Sequence, residues 1–324
     1  MKPSAETREK VKALTDKLEA GVKEVFESER YTAYLKAMSK FHQYSFGNVL
    51  LILMQCPEAS HVAGYTTWKK QFGRTVKKGE HGIQIIVPIQ RSRLVRQDRL
   101  DPDTQRPIIG PDGLTEKEPV FVNYRSFRIT YVFDVSQTEG RDLPSYGVDE
   151  LTGDVPNFDA MFFAIEKLSP VPVEYRQAAA AKGCYNHLER KIYLNEGMSQ
   201  VQTLKTLIHE TAHAKLHALP VKDGKIVGKP EKDKHTREVE AESIAYVVCQ
   251  HFGIDTSDYS FPYVTGWSSG KELDELKASL ECISKTAAEM IDGIEKACPE
   301  LSRNSEVLER GNVAYHNMYY SKER

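Results

Sequence analysis

The chain has 324 residues, 40% of them apolar and 28% charged, with a formal net charge of −2. Those values describe a globular protein with a sizeable core and room for two domains. The cysteines at 56, 184, 249, 282 and 298 are odd in number, widely spaced and form no C-x-x-C, which excludes a disulfide framework and fits a reducing cytoplasm.

Residues 5–27 read as an amphipathic helix, with Val11, Leu14, Leu18, Val22 and Val25 on one face. This charged segment lacks the apolar stretch of a signal peptide. A second helix is expected over 31–54, ended by Cys56-Pro57-Glu58. The longest apolar run, Val49 to Met54, is too short to span a bilayer, so no membrane association is expected. Residues 62–67 are β-prone, and 82–89 and 121–135 read as strong strands. Between those strands, residues 97–118 are polar and rich in Pro and Asp, as in a hairpin loop or insertion.

Beyond a polar linker at 141–155, a helix is expected over 158–167 and strands over 171–175 and 191–194. Ser199 begins the next helix, with Gln202 placed to complete a capping box and Val201, Leu204, Leu207, Ile208 and Ala212 as its apolar stripe. A charged loop over 221–234 leads to a helix over 237–251, and 270–297 reads as a long amphipathic helix before a polar tail at 301–324. The expected fold class is α+β. The expected domains are residues 1–140 and 156–300, joined by the linker.

The helix after Ser199 carries His209-Glu210-Thr211-Ala212-His213, an H-E-x-x-H sequence. Positions i and i+4 share a helix face, so both imidazoles aim at one point with a carboxylate beside them. That pattern describes a zinc site with Glu210 as general base. A third ligand is expected from the next helix, whose start holds Glu238, Glu240 and Glu242. Glu238 and Glu242 share a face, so one can bind Zn²⁺ while the other accepts the N–H of a ligating histidine. Glu238 is the expected ligand and Glu242 the acceptor, with Glu240 an alternative if the helix phase shifts. Tyr263 or His235 is a candidate donor to a developing oxyanion.

Residues 61–99 hold nine basic side chains against Glu80 and Asp98, a local charge of nine minus two, or +7. Positive charge tracks phosphates and aromatic faces stack on unpaired bases, so the segment fits single-stranded nucleic acid. The candidate contacts are Trp68, Lys69, Lys70, Arg74, Lys77, Lys78, Arg91 and Arg93.

The stretch Tyr44-Ser45-x-x-Asn48-x-Leu50-Leu51-Ile52-x-x-x-Gln55-x-Pro57, then Val62-x-Gly64-Tyr65-x-Thr67-Trp68 and Gly73-Arg74-x-Val76-Lys77-Lys78-Gly79-Glu80-x-Gly82-Ile83, resembles the N-terminal domain of ArdC-type antirestriction proteins. The resemblance covers about residues 30–135 and implies binding of single-stranded DNA. His209, Glu210, His213 and the segment Glu238-x-Glu240-Ala241-Glu242 resemble zincin metallopeptidases of the ImmA/IrrE kind. The pairing implies a gluzincin-like peptidase tethered to DNA, carried by a mobile genetic element, with a peptide or protein substrate. The rival expectation is a non-enzymatic protein that coats single-stranded DNA, with a structural or idle zinc.

Overall fold

A computed structural model describes residues 5–141, 143, 155, 157–177, 181–256, 261 and 264–301. Most of the expected linker and tail, and Tyr263, lie outside the described residues. The fold mixes helices and strands, as an α+β protein does.

Helix α1 runs Ala5–Glu24, α2 Ser28–Lys40 and α3 Phe46–Gln55. The single helix expected over 31–54 is therefore two. Ser45 adopts an extended conformation and its side chain accepts the Asn48 N–H, which starts α3 afresh. The break leaves His42 and Gln43 in the connecting turn.

Strand β1, Val62–Ala63, pairs antiparallel with Phe133 and Asp134. The rest of the β-prone stretch is helix α4, Tyr65–Lys70. Trp68 explains the change: its ring is 1% exposed and its Nε1–H donates to the Phe133 carbonyl at 2.8 Å. Burying a large indole with its donor satisfied outweighs a weak strand preference. Strand β2, Arg74–Val76, follows. Strands β3, Ile83–Asp98, and β4, Lys117–Asp134, form a long hairpin. Its tip keeps bridges between Leu100 and Pro107 and between Ile109 and Thr115, so 97–118 is partly ordered as strand. Strand β5, Thr138–Gly140, pairs antiparallel with β2.

Helix α5, Phe158–Leu168, precedes a three-stranded sheet of β6, Val173–Arg176, β7, Gly183–Asn186, and β8, Lys191–Asn195. The order is β6-β8-β7, with β6 parallel and β7 antiparallel to β8. Helix α6 is Gln200–Leu216. The expected charged loop contains a small hairpin, β9 Val221–Lys222 and β10 Lys225–Ile226. Asp223 and Gly224 turn it with positive φ, as two-residue hairpins require. Helices α7, Lys234–His251, α8, Val264–Ser268, and α9, Leu273–Ala297, complete the chain.

Among the described residues the chain forms two compact units, one from residues up to 14 with 85–130, the other from 15–84 with 131 onward. In the second unit α7 packs against α6, α9 and α2. Val239, Ile244, Val247, Val248, Leu280, Ile283 and Ile291 are all 0% exposed there. Burying each such side chain stabilises the fold by about 1.5–3 kcal/mol. Tyr31 of α2 is also 0% exposed, and its hydroxyl meets Ser243 Oγ of α7 at 2.7 Å. Helices from before residue 56 and after residue 230 thus share one core. No described helix is long and apolar enough to cross a membrane.

Candidate metal centre

Helix α6 begins at Ser199, whose side chain accepts the Gln202 N–H at 3.2 Å. The Gln202 amide donates to Thr206 Oγ1 at 3.1 Å and accepts from Lys182 Nζ at 2.5 Å, so it serves the sheet side rather than completing a capping box. Leu204, Leu207, Ile208 and Ala212 are 0% exposed and fix the helix rotation. That rotation turns His209 and His213 toward the start of α7.

His209 Nε2 and His213 Nε2 lie 3.0 Å apart, and Glu238 Oε2 lies 3.6 Å from each. Ligands about 2.0–2.1 Å from a tetrahedral zinc sit about 3.3 Å from one another, so the three donors fit one divalent ion. Glu242 Oε2 lies 3.2 Å from His209 Nδ1, the ring nitrogen turned away from that triangle. Burial acts to lower the His209 pKa, but the Glu238 and Glu242 carboxylates outweigh it and raise it to about 10. The same contacts with His209 and His213 hold the Glu238 carboxyl far below its ordinary value.

Glu240 is not in the triangle. Its side chain is fully buried and accepts from Lys232 Nζ at 2.7 and 2.9 Å and from Ser279 Oγ at 2.8 Å. His217 Nε2 lies 3.0 Å from Glu240 Oε2, and His217 Nδ1 lies 2.9 Å from His213 Nδ1. The result is a chain from the half-exposed Lys232 through the buried Glu240 and His217 to His213.

Glu210 is 8% exposed, and its Oε2 accepts the Tyr185 N–H of β7 at 2.7 Å. A cleft of about 290 Å³ opens beside it, lined by Lys182, Gln202, Lys205, His209, Glu210 and Glu242 among others. The motif alone did not reveal the Tyr185 contact, the Glu240 chain or the two lysines. Glu240 enters the sequence reading only as an alternative ligand, and the helical spacing by itself also puts His217 one turn beyond His213. His235 is exposed at the start of α7.

Two of the expected nucleic-acid contacts are structural. Trp68 is buried against Phe72, with ring centroids 4.8 Å apart, and offers no free face for a base. Arg74 is 8% exposed, with Nε donating to Thr138 Oγ1 at 2.7 Å and Nη2 to the Thr138 carbonyl at 3.0 Å, which ties β2 to β5. Lys69, Lys70 and Lys78 are exposed, as is Lys77, whose Nζ donates to the Ser136 carbonyl at 2.8 Å. In the other unit, Arg91 is half-buried and Arg93 lies over the Tyr124 ring at 5.8 Å. Phe121 and Phe127 of β4 are 73% and 51% exposed, far more than a core aromatic.

Residues 6–133 match the family model of the N-terminal domain of the anti-restriction factor ArdC. An uncharacterized protein of Bacillus anthracis is 29% identical over 336 residues, an alignment covering 94% of this chain. The chain spans 54% of that relative, about half its length. The solved metal-free structure of antirestriction protein ArdC from the R388 plasmid is 19% identical; the match covers 79% of this chain and 86% of that one, with a TM-score of 0.41. Its Mn(II)-bound form is also 19% identical, with 78% and 84% covered and a TM-score of 0.42.

Proposed function

We propose that the chain is a zinc-dependent metallopeptidase joined to a single-stranded-DNA-binding segment, with an antirestriction or DNA-protection role on a mobile genetic element. The observation that carries this reading is the triangle of His209, His213 and Glu238 with Glu210 beside it. A site built only to hold a metal has no use for that second carboxylate.

His209, His213 and Glu238 would hold the divalent cation, taken as Zn²⁺, which supplies Lewis acidity and lowers the pKa of a bound water toward ~7. Glu210 takes the proton of the attacking water and returns it to the leaving amine. The Tyr185 N–H engages one Glu210 oxygen and orients the carboxylate. Glu242 and His217 sit on the outward ring nitrogens of His209 and His213 and fix how those rings face the triangle. Lys182, Lys205, Glu210 and Glu242 line the adjoining cleft, which gives a peptide substrate a polar channel to the triangle.

The exposed arginines and aromatics of β3 and β4 support the DNA-binding half. The ArdC match at residues 6–133 supports it too, and it equally favours the second reading, a DNA-coating protein with an idle metal. Glu210→Gln separates the two. Hydrolysis of an unfolded protein substrate is expected to fall ~10²–10⁴-fold with metal content and melting temperature unchanged. Full protection of incoming DNA by the Gln variant would favour the coating protein.

A further inference from the structure

A second group of polar side chains gathers where the α2–α3 turn, the C-terminal end of α7 and the last turns of α9 meet. His251 lies thirteen residues beyond Glu238 on α7, so this group is about 20 Å along the helix from the first site. We propose that His42, Asp292 and Glu295 form a second divalent-cation site, with Gln43 as a further oxygen ligand and His251 supporting Glu295. The first three offer ligand atoms all within 4.8 Å of one another.

His42 Nε2 lies 3.4 Å from Asp292 Oδ1. The Gln43 side-chain nitrogen sits between them, 2.9 Å from His42 Nε2 and 2.8 Å from Asp292 Oδ1. With His42 taken as the Nδ1–H tautomer, an amide NH₂ so placed offers partial positive charge to two lone pairs that point at one spot. A cation satisfies those lone pairs more fully, and rotating the amide by half a turn presents Oε1 as a neutral ligand.

The His42 side chain is 10% exposed, and its Nδ1 is buried with no hydrogen-bond partner among the described residues. The ring edge packs on His251, with centroids 4.8 Å apart, and its Nε2 faces Asp292 and Gln43.

His251 points the same way. Its Nδ1 lies 2.8 Å from the Ser39 carbonyl and its Nε2 2.9 Å from Glu295 Oε1. These contacts hold the Glu295 carboxylate in place, with an oxygen within 4.8 Å of the His42 and Asp292 ligand atoms. The donor set of one imidazole and several oxygens suits Zn²⁺ or Mn²⁺. Asp292 keeps 41% of its side chain exposed, which leaves a path from solvent.

Equilibrium dialysis of the full chain against Zn²⁺ and against Mn²⁺, read by elemental analysis, tests the site without reference to hydrolysis. The His209→Ala/His213→Ala chain is expected to retain one ion, and adding Asp292→Asn or Glu295→Gln to remove it. Both added changes are nearly isosteric, and a melting curve for each variant checks the fold. A His209→Ala/His213→Ala chain that binds no metal overturns the proposal, as does an ion that survives both added changes. Neither result bears on the first site, whose occupancy is read from the difference between the wild type and the double-alanine chain.

Discussion

Glu240 sits at 0% exposure because His217, Lys232 and Ser279 replace the water it gives up. Burial acts to raise its pKa, but those three partners outweigh burial and hold it below the ordinary 4.5. A depressed carboxylate stabilises the fold fully above its unfolded value, and that contribution is lost as pH falls through the folded one. Glu240→Gln is expected to cost about 1–3 kcal/mol at neutral pH. In denaturant titrations from pH 7 to pH 3 it should also flatten the acid-side loss of stability. The change frees His217 and so His213, and metal affinity should drop about 10–100-fold. An unaltered affinity would mean that His213 is held by packing alone. For His209 the sign is opposite. With its pKa raised to about 10 in the metal-free site, its stabilising contribution is complete below the ordinary 6.5 and fades as pH rises through 10. Metal uptake near pH 7 must therefore expel a proton, and affinity should rise with pH. Calorimetry in buffers of different ionisation heat would count that proton. The two histidines and Glu210 are legible in the sequence because their spacing is a property of one helix. The four-residue spacing likewise puts Glu238 and Glu242 on one face, as ligand and acceptor; the helix phase that keeps Glu240 out of the triangle is set by the packing of α7 on α6, which the sequence does not show. Trp68 and Arg74 misled for a related reason. Their burial depends on Phe133 and Thr138, more than sixty residues away in the chain.

Among the elements, β7 was missed and matters most. Four residues with little alternation give no strand signal, yet Tyr185 on this strand holds Glu210. Gly183 lets β7 approach α6. A Cβ there would meet Thr206 Cγ2 at 2.5 Å and the Tyr193 carbonyl oxygen at 3.0 Å. Gly183→Ala is expected to cost about 1–3 kcal/mol and to loosen Glu210, lowering hydrolysis with the metal still bound. Gly266→Ala is the matching control, since a Cβ there meets nothing within 4 Å. It should leave stability unchanged or raise it by up to about 1 kcal/mol, the usual helix preference for Ala over Gly. Equal melting temperatures for the two variants would dismiss the close approach of β7 as the cause. The split of the second helix into α2 and α3 was likewise hidden. Residues 31–54 keep their apolar spacing across the turn, and only Ser45 as a cap betrays the restart.

At the scale of the whole molecule, the ribbon of β3 and β4 carries exposed rings and arginines that a monomeric core has no reason to display. Affinity for single-stranded DNA is expected to fall with salt, by a log–log slope of about 0.7 for each phosphate neutralised. Phe121→Ala and Phe127→Ala should each weaken binding by about 1–3 kcal/mol and leave that slope intact, because stacking releases no counterions. Replacing Lys69 and Lys70 with Gln should lower the slope instead. Salt-independent binding would remove phosphate contacts from the account. The strands themselves were legible from their β-branched and aromatic runs; the long excursion to the tip was not, since Pro and Asp mask its bridges. The hydroxyl of Tyr31 against Ser243 has a consequence for inheritance. A recombination event that grafted residues 156–301 onto a foreign leader would strip α2 from α7 and bare the side chains it covers. A chimaera of that kind would need a substitute helix from its new partner, so the two ends of this gene should be inherited as a single block.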